Sequence, residues 1–298
     1  MKSGFVALVG RPNAGKSTLM NALLKQKVAI ISPKPQTTRN QIRGIRTDED
    51  SQIIFVDTPG IHKPHHELGT HMNKEAFSAI GSVDIIFYLV DASVPFGSGE
   101  RFVLDKLKNI KYPVFLILNK IDLLSKENLI NLLIEWNERY DFKEIVPISA
   151  LTDDNLNHLL NVVKNYLEDG IVYYPKDQVC DFPQQFIYAE IIREKVLYLT
   201  DEEIPHSVAV VLEKMGRSRG KLCISAVIIV DRDSQKGMMI GKQGKMIKEI
   251  GIRSREELEG ILGESIFLEL YVRVEKNWRN RKAKLQQLGY IPLEVDHE

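Results

Sequence analysis

Phe5-Val6-Ala7-Leu8-Val9-Gly10-Arg11-Pro12-Asn13-Ala14-Gly15-Lys16-Ser17-Thr18 decides how the first half of the chain folds. Its first five residues are uncharged and read as a buried strand, while helical periodicity begins at Lys16, so Gly10–Ser17 is a turn from strand to helix. A Gly-x4-Gly-Lys-Ser turn in that setting suits a phosphate chain. Gly10 and Gly15 admit close approach, the loop Arg11-Pro12-Asn13-Ala14 turns its backbone N–H groups, all but the missing one of the proline, into a cradle, and the helix end is positive. Lys16 would bridge the β and γ phosphates, the Ser17 hydroxyl would ligate magnesium, and Thr18 completes the contacting run.

Outward from this turn, the apolar runs Ile53–Val56, Ile85–Val90, Val114–Leu118 and Ile145–Ile148 alternate with helix-periodic segments that begin near Leu68, Ser98, Lys126 and Asp153. The alternation predicts an α/β domain with parallel strands and crossover helices, and Gln41–Thr47 adds an edge strand paired with Ile53–Val56. Motifs stand directly after successive strands, where open parallel sheets bind ligands. Asp57-Thr58-Pro59-Gly60 offers a carboxylate for magnesium and the Gly60 N–H for a γ-phosphate. Asn119-Lys120-Ile121-Asp122 selects the base, because the Asp122 carboxylate can accept from both the ring N–H and the 2-amino group of guanine. Ser149-Ala150-Leu151 would bring the Ala150 N–H near the guanine O6.

The 298 residues are 44% hydrophobic and 27% charged, which allows two globular cores. Lys plus Arg and Asp plus Glu both total 40, so any polyanionic partner must be read by a local patch. Cys180 and Cys223 lack metal-ligand spacing and read as reduced thiols. The first strand begins close to Met1, and no apolar run is long enough to span a bilayer, which gives the expectation of a cytoplasmic protein. Asp169–Gln185, with Pro175 and Pro183, reads as a linker; the predicted boundaries are 1–170, 171–185 and 186–298.

The last region predicts a small α+β domain. Its expected elements are a strand at Phe186–Glu190, a helix at Ile191–Leu199, a hairpin of Ser207–Lys214 and Lys221–Val230, helices at Lys245–Gly251 and Arg255–Leu262, a strand at Ser265–Val274 and a helix at Asn277–Leu288. Within it, Ile240-Gly241-Lys242-Gln243-Gly244-Lys245 places two glycines around an exposed pair, so that backbone can lie on backbone while flanking apolar residues form a groove for unpaired bases. Lys236, Lys242, Lys245 and Lys248 occur with no acid among the four; Lys214, Arg217, Arg219 and Lys221 flank the hairpin tip, and Arg273, Lys276, Arg279, Arg281, Lys282 and Lys284 border the last helix, opposed only by Glu275. That concentration favours RNA. Trp278 and Tyr271 read as core residues rather than base-stacking platforms, and His62, His65, His66 and His71 as a cluster without a metal.

The four motifs together resemble the TrmE-Era-EngA-like branch of the translation-factor-related GTPases, and Lys34–Asn40 resembles its first switch. The resemblance implies that Thr38, with Thr37 as rival, reaches magnesium in the GTP state. Ile61 stands where Ras-type proteins carry a water-orienting glutamine, so the resemblance implies a hydrophobic-substituted GTPase, with Lys16, Thr38 and Asn13 the residues carried over as catalytic. Asn13 matches an asparagine that related GTPases use to hold potassium, and the competing reading is that it stabilises the turn alone. The Gly-Lys-Gln-Gly loop and the order of elements resemble a type II KH fold, and that domain after this GTPase domain resembles the Era family across essentially the whole chain. The family implies a GTP/GDP switch that binds the 3′ end of small-subunit ribosomal RNA, acts in small-subunit assembly, works as a monomer with magnesium, and associates peripherally with the inner membrane. No lipid-binding feature is found in the sequence. A GTP-dependent RNA-binding module with incidental hydrolysis, and a tRNA-modification or RNA-chaperone partner, are the alternatives.

Overall fold

The computed structural model describes residues 1–291 apart from 35–36, 62–65 and 202–203. The chain divides into two compact units: the described residues of 1–29, 38–64 and 72–181 form the first, and those of 30–37, 65–71 and 182–298 the second. Two stretches inside the predicted 1–170 domain therefore group with the second unit.

The first unit runs β1 (Lys2–Gly10), α1 (Lys16–Leu24), β2 (Ile42–Thr47), β3 (Ser51–Asp57), α2 (Glu67–Ile80, whose first turns group with the second unit), β4 (Ile85–Asp91), α3 (Ser98–Leu107), β5 (Val114–Asn119), α4 (Lys126–Asn137), β6 (Glu144–Pro147) and α5 (Leu156–Tyr166). The sheet order is β2-β3-β1-β4-β5-β6, parallel except for β2, which pairs antiparallel with β3. Val6–Val9, Ile53–Phe55, Ile85–Tyr88 and Phe115–Leu118 are all fully buried, as strands covered on both faces require, which is why they read as unbroken apolar runs. The register sets the site. Leu8 lies opposite Asp57, Gly10 opposite Leu89 and Asp91 opposite Asn119, so every motif emerges at one end of the sheet.

The β2 edge is not bare. The Ile45 N–H donates to the Val179 carbonyl at 2.8 Å, Gly44 forms a β-bridge with Cys180, and the Gln52 carboxamide holds the backbone of Tyr173 and Tyr174. Residues 173–181, read as linker from their prolines, thus satisfy and cover an exposed strand edge.

The second unit continues with α6 (Gln184–Leu199), α7 (Ile204–Ser207), β7 (Ala209–Ser218), β8 (Lys221–Val230), α8 (Asp233–Ile240), α9 (Lys245–Leu262), β9 (Ile266–Val274), a 3-10 turn at Trp278–Asn280 and α10 (Lys282–Gln287). β7 and β8 are antiparallel and β8 and β9 parallel. Ile191, Ile192 and Val196 of α6 share a core with Ile224, Ala226 and Ile228 of the central strand and with Ile250 and Leu258 of α9.

Four expectations change here. Phe186–Glu190 is helical, part of α6; residues 188–194 are all buried, the charged Glu190, Arg193 and Glu194 included, so no solvent-facing polar stripe marks the helical period. The two helices expected at Lys245–Gly251 and Arg255–Leu262 are one, since Gly251 and Ser254 sit inside a packed helix where Ser254 is fully buried. α8 is not among the elements expected above; its first four residues are polar and Gly237 follows them, which leaves little apolar period to read. The last predicted helix opens as a 3-10 turn after Asn277, whose φ of 56° is left-handed, and Trp278 is buried with its indole N–H donated to the Ser207 carbonyl at 3.0 Å.

Candidate nucleotide and RNA sites

The turn Gly10–Ser17 has the strained backbone that the sequence asks of it. Gly15 has φ 97°, and a Cβ there would lie 2.1 Å from Asn119 Nδ2; a Cβ on Gly10 would lie 2.4 Å from the Leu89 carbonyl. Asn13 is exposed and left-handed at φ 64°, a conformation asparagine tolerates better than most residues. Lys16 is buried and folds back over the turn, donating to the carbonyls of Gly10 at 3.1 Å and Arg11 at 3.0 Å. Arg11 is fixed from outside by Glu100 at 2.7 Å.

Three oxygens converge beside it. Ser17 Oγ lies 2.7 Å from Asp57 Oδ2 and 2.8 Å from Thr38 Oγ1, and Thr38 Oγ1 lies 3.4 Å from the same carboxylate oxygen. Thr37 points elsewhere, its hydroxyl donating to the Lys34 carbonyl at 2.6 Å, so the structure brings Thr38 and not its rival to the cluster. Burial pushes the Asp57 carboxyl up to about 6 against the pull of Lys16 and the hydroxyls; burial likewise brings Lys16 down to about 8 against the pull of Asp57. Asp57 Oδ1 is buried and has no hydrogen-bond partner among the described residues. A buried carboxylate with an unmet oxygen beside two hydroxyls is a donor set fitting a hard divalent cation such as magnesium, which would also relieve the cost of ionising Asp57.

Gly60 packs on the phosphate turn with no room for a side chain, a Cβ there lying 2.8 Å from Pro12 N. Ile61 donates its N–H to the Gly10 carbonyl at 3.2 Å and buries its side chain among Ala7, Val9 and Val56. No group at position 61 can therefore orient water through its side chain.

At the base end, Asn119 ties two loops together: its Nδ2 donates to the Ala14 carbonyl at 2.9 Å and its Oδ1 accepts from the Ala150 N–H at 3.0 Å. The N–H expected to face guanine O6 is thus already engaged, and a base oxygen would have to share it. Lys120, left-handed at φ 69°, pairs with Asp91. Asp122 is exposed, with Oδ1 accepting from Ser149 Oγ at 2.6 Å, so its desolvation would come from the base that covers it. Leu151 is also exposed, at 79%. The fixing partners Asp91 and Glu100 carry no sequence signal, because each acts on a motif residue from a different strand or helix.

In the second unit, α8 ends at Ile240 and α9 begins at Lys245, and the loop between them has positive φ at Gly241 (70°), Gln243 (55°) and Gly244 (75°). A Cβ on Gly241 would meet Met246 Cβ at 2.8 Å, while Gly244 opens into free space. Lys242, Gln243, Lys245 and Lys248 are exposed, and neither these lysines nor Lys236 enters an ion pair among the described residues. Beside the loop a groove of about 330 Å³ runs between α9 and β9, lined by Ile247, Gly251, Ile252, Leu268 and Leu270 with Lys248 and Arg255 also at its surface. An apolar groove edged by cations, next to a loop with exposed backbone, suits single-stranded nucleic acid. Elsewhere the predicted basic patch is partly neutralised: Arg217 pairs with Glu264, Arg273 with Glu213, Arg279 with Asp231 and Lys284 with Glu275. Trp278 is a core residue, stacked on Tyr290, whereas Tyr271 is 52% exposed, contrary to expectation. His62 and His65 lie outside the described residues.

Two families match the chain: the family described as 50S ribosome-binding GTPase over residues 5–120, and the KH domain over residues 203–279. A crystal structure of an Aquifex aeolicus Era variant bound to GDP and AlF4− is similar at 41% identity, covering 97% of this chain and 99% of that one, with a TM-score of 0.93. A crystal structure of Era in complex with MgGDPNP and nucleotides 1506–1542 of 16S ribosomal RNA is similar at 41% identity over the same shares, with a TM-score of 0.94.

Proposed function

The chain belongs to the Era family of GTPases, and from that premise we propose that it is a GTP-driven switch which binds the 3′ end of small-subunit ribosomal RNA during subunit assembly. It hydrolyses GTP to GDP and phosphate. The observation that carries the RNA half is the Gly241–Gly244 loop beside the apolar groove of α9 and β9, in a chain 41% identical to an Era bound to a 16S RNA fragment. Ser17, Thr38 and Asp57 would hold magnesium, which when bound neutralises charge on the phosphates. Lys16 adds a second positive charge there, and the Gly60 N–H a donor toward the γ-phosphate. Asn119 keeps the phosphate turn and the base loop in register, and Asp122 reads guanine.

The test is hydrolysis rate with and without small subunits, large subunits and tRNA. Acceleration by small subunits alone is expected. Acceleration by large subunits would move the partner to the particle named in the matching family's description, and acceleration by tRNA would favour a modification or chaperone role. A cytoplasmic location and a monomeric state are part of the same proposal. Among the described residues, no helix is long and apolar enough to cross a membrane.

Potassium is part of the same proposal. With Ile61 buried, charge stabilisation at the phosphates has to replace side-chain positioning of water, and Asn13 lies at the exposed rim of the turn. Hydrolysis is expected to run at least about tenfold faster in potassium than in sodium at equal ionic strength, a barrier change of roughly 1.4 kcal/mol. Equal rates would leave Asn13 with its left-handed turn alone.

A further inference from the structure

The stretch immediately before Thr38 is held by one face of α6. Arg193, fully buried, donates from Nη2 to the Thr37 carbonyl, and its Nε donates to Glu190 Oε1 at 2.7 Å. Glu194, 2% exposed, accepts the Ile31 N–H at 2.8 Å. Ile30 joins the apolar core of α6, and Lys34 pairs with Asp201 just beyond that helix. These contacts lie within the second unit, to which residues 30–37 belong. The next residue, Thr38, lies in the first unit with its hydroxyl on Ser17 and Asp57.

Burying a guanidinium is costly unless it is paired and hydrogen-bonded. Glu190 supplies the pairing at one edge of the fork, as the side chain three residues earlier on the same helix. That leaves the other edge for a carbonyl, and the carbonyl it meets belongs to Thr37, one peptide bond from the magnesium-side threonine. A peptide unit is planar, so fixing the Thr37 carbonyl also fixes the orientation of the Thr38 N–H and narrows where its side chain can go. Arg193 Nη1 has no acceptor among the described residues. The fork thus keeps a spare donor beside the one given to Thr37.

We propose that Arg193 is a positioning residue for the nucleotide site: by clamping the Thr37 carbonyl it presents Thr38 to the metal and γ-phosphate. The inference rests on the GTPase reading of that site. It makes the γ-phosphate-sensing segment depend on a helix of the RNA-binding unit.

The experiment compares affinities for GDP and for a non-hydrolysable GTP analogue, both with magnesium, together with kcat, in wild type and in Arg193→Gln combined with Glu190→Gln. The double change removes both buried charges, so neither is left unpaired. Affinity for the GTP analogue and kcat are expected to fall by about ten- to a hundred-fold, the loss of one charge-assisted hydrogen bond, while GDP affinity stays within about twofold. A merely structural role would lower both affinities together or neither. Arg193→Lys keeps a charge for Glu190 but cannot serve both partners; it is expected to show the same split at smaller size, and it carries the test if the double variant does not fold. An unchanged ratio of the two affinities in either folded variant overturns the proposal. A wild type that binds neither nucleotide would instead overturn the reading of the site on which the proposal stands.

Discussion

Replacing Asp122 by Asn is expected to exchange guanine for xanthine as the preferred base. Ser149 Oγ donates to Asp122 Oδ1 at 2.6 Å. In the variant that hydroxyl selects the rotamer in which the amide oxygen takes the Oδ1 place, leaving an NH2 where the second acceptor stood. Guanine presents two donors to this edge and so meets a donor, while xanthine carries a carbonyl in place of the 2-amino group and meets a partner. A hydrogen bond to a charged group contributes about 1.5–3 kcal/mol, so GTP affinity should fall roughly ten- to a hundred-fold or more, with a gain for XTP. Competition binding with the two nucleotides reads this directly. Retained GTP affinity with nothing gained for XTP would mean that Asp122 does not face the base.

The second large effect is expected in the second unit. Changing Lys242 and Gln243 together to Asp alters the local charge by about three units, two at the first position and one at the second, where a phosphate backbone has to approach. Like charges forced together at an interface cost several kcal/mol, so affinity for a single-stranded oligonucleotide of the 16S 3′ end should drop roughly 100-fold or more. Folding should survive. Both side chains are exposed, and Asp is among the few residues that accept the left-handed backbone of Gln243. GTP hydrolysis without RNA should be unchanged, since neither residue belongs to the first unit. Undiminished RNA affinity would move the binding surface away from the loop, and the exposed Tyr271 would then be the next place to look.

What could be read from the sequence was whatever the chain writes consecutively. The phosphate turn is eight successive residues, the motifs at Asp57 and Asn119 each end a strand whose apolar run is continuous because both faces are buried, and Ser149 follows shortly after the half-buried β6. The second unit was harder for the opposite reason. α6 is buried on so many sides that Phe186–Glu190 resembles a strand, and α9 contains a glycine and a serine that suggest a break but are packed. The basic clusters in the sequence show charges without their partners, because Glu264, Glu213 and Asp231 stand far along the chain from Arg217, Arg273 and Arg279, which they pair with in space. The partners that hold the site residues in place leave no local pattern at all. Arg193 and Thr37 stand 156 positions apart, and no spacing rule joins them.

Lys195, next to the residues that hold the 30–37 segment, pairs with Glu194 and with Glu257, which lies twelve residues into α9 from the Gly-Lys-Gln-Gly loop. Twelve residues of α-helix span about 18 Å. An unbroken helix held in the core at Ile250 and Leu258 and by this ion pair moves as one piece, and a tilt of about 10° over that length would carry Lys245 through about 3 Å. That displacement is comparable to the separation of donor and acceptor in a hydrogen bond. The continuity of α9 through Gly251 and Ser254 therefore ties the position of the Gly-Lys-Gln-Gly loop to the packing of α6, with no change needed in the loop's own conformation.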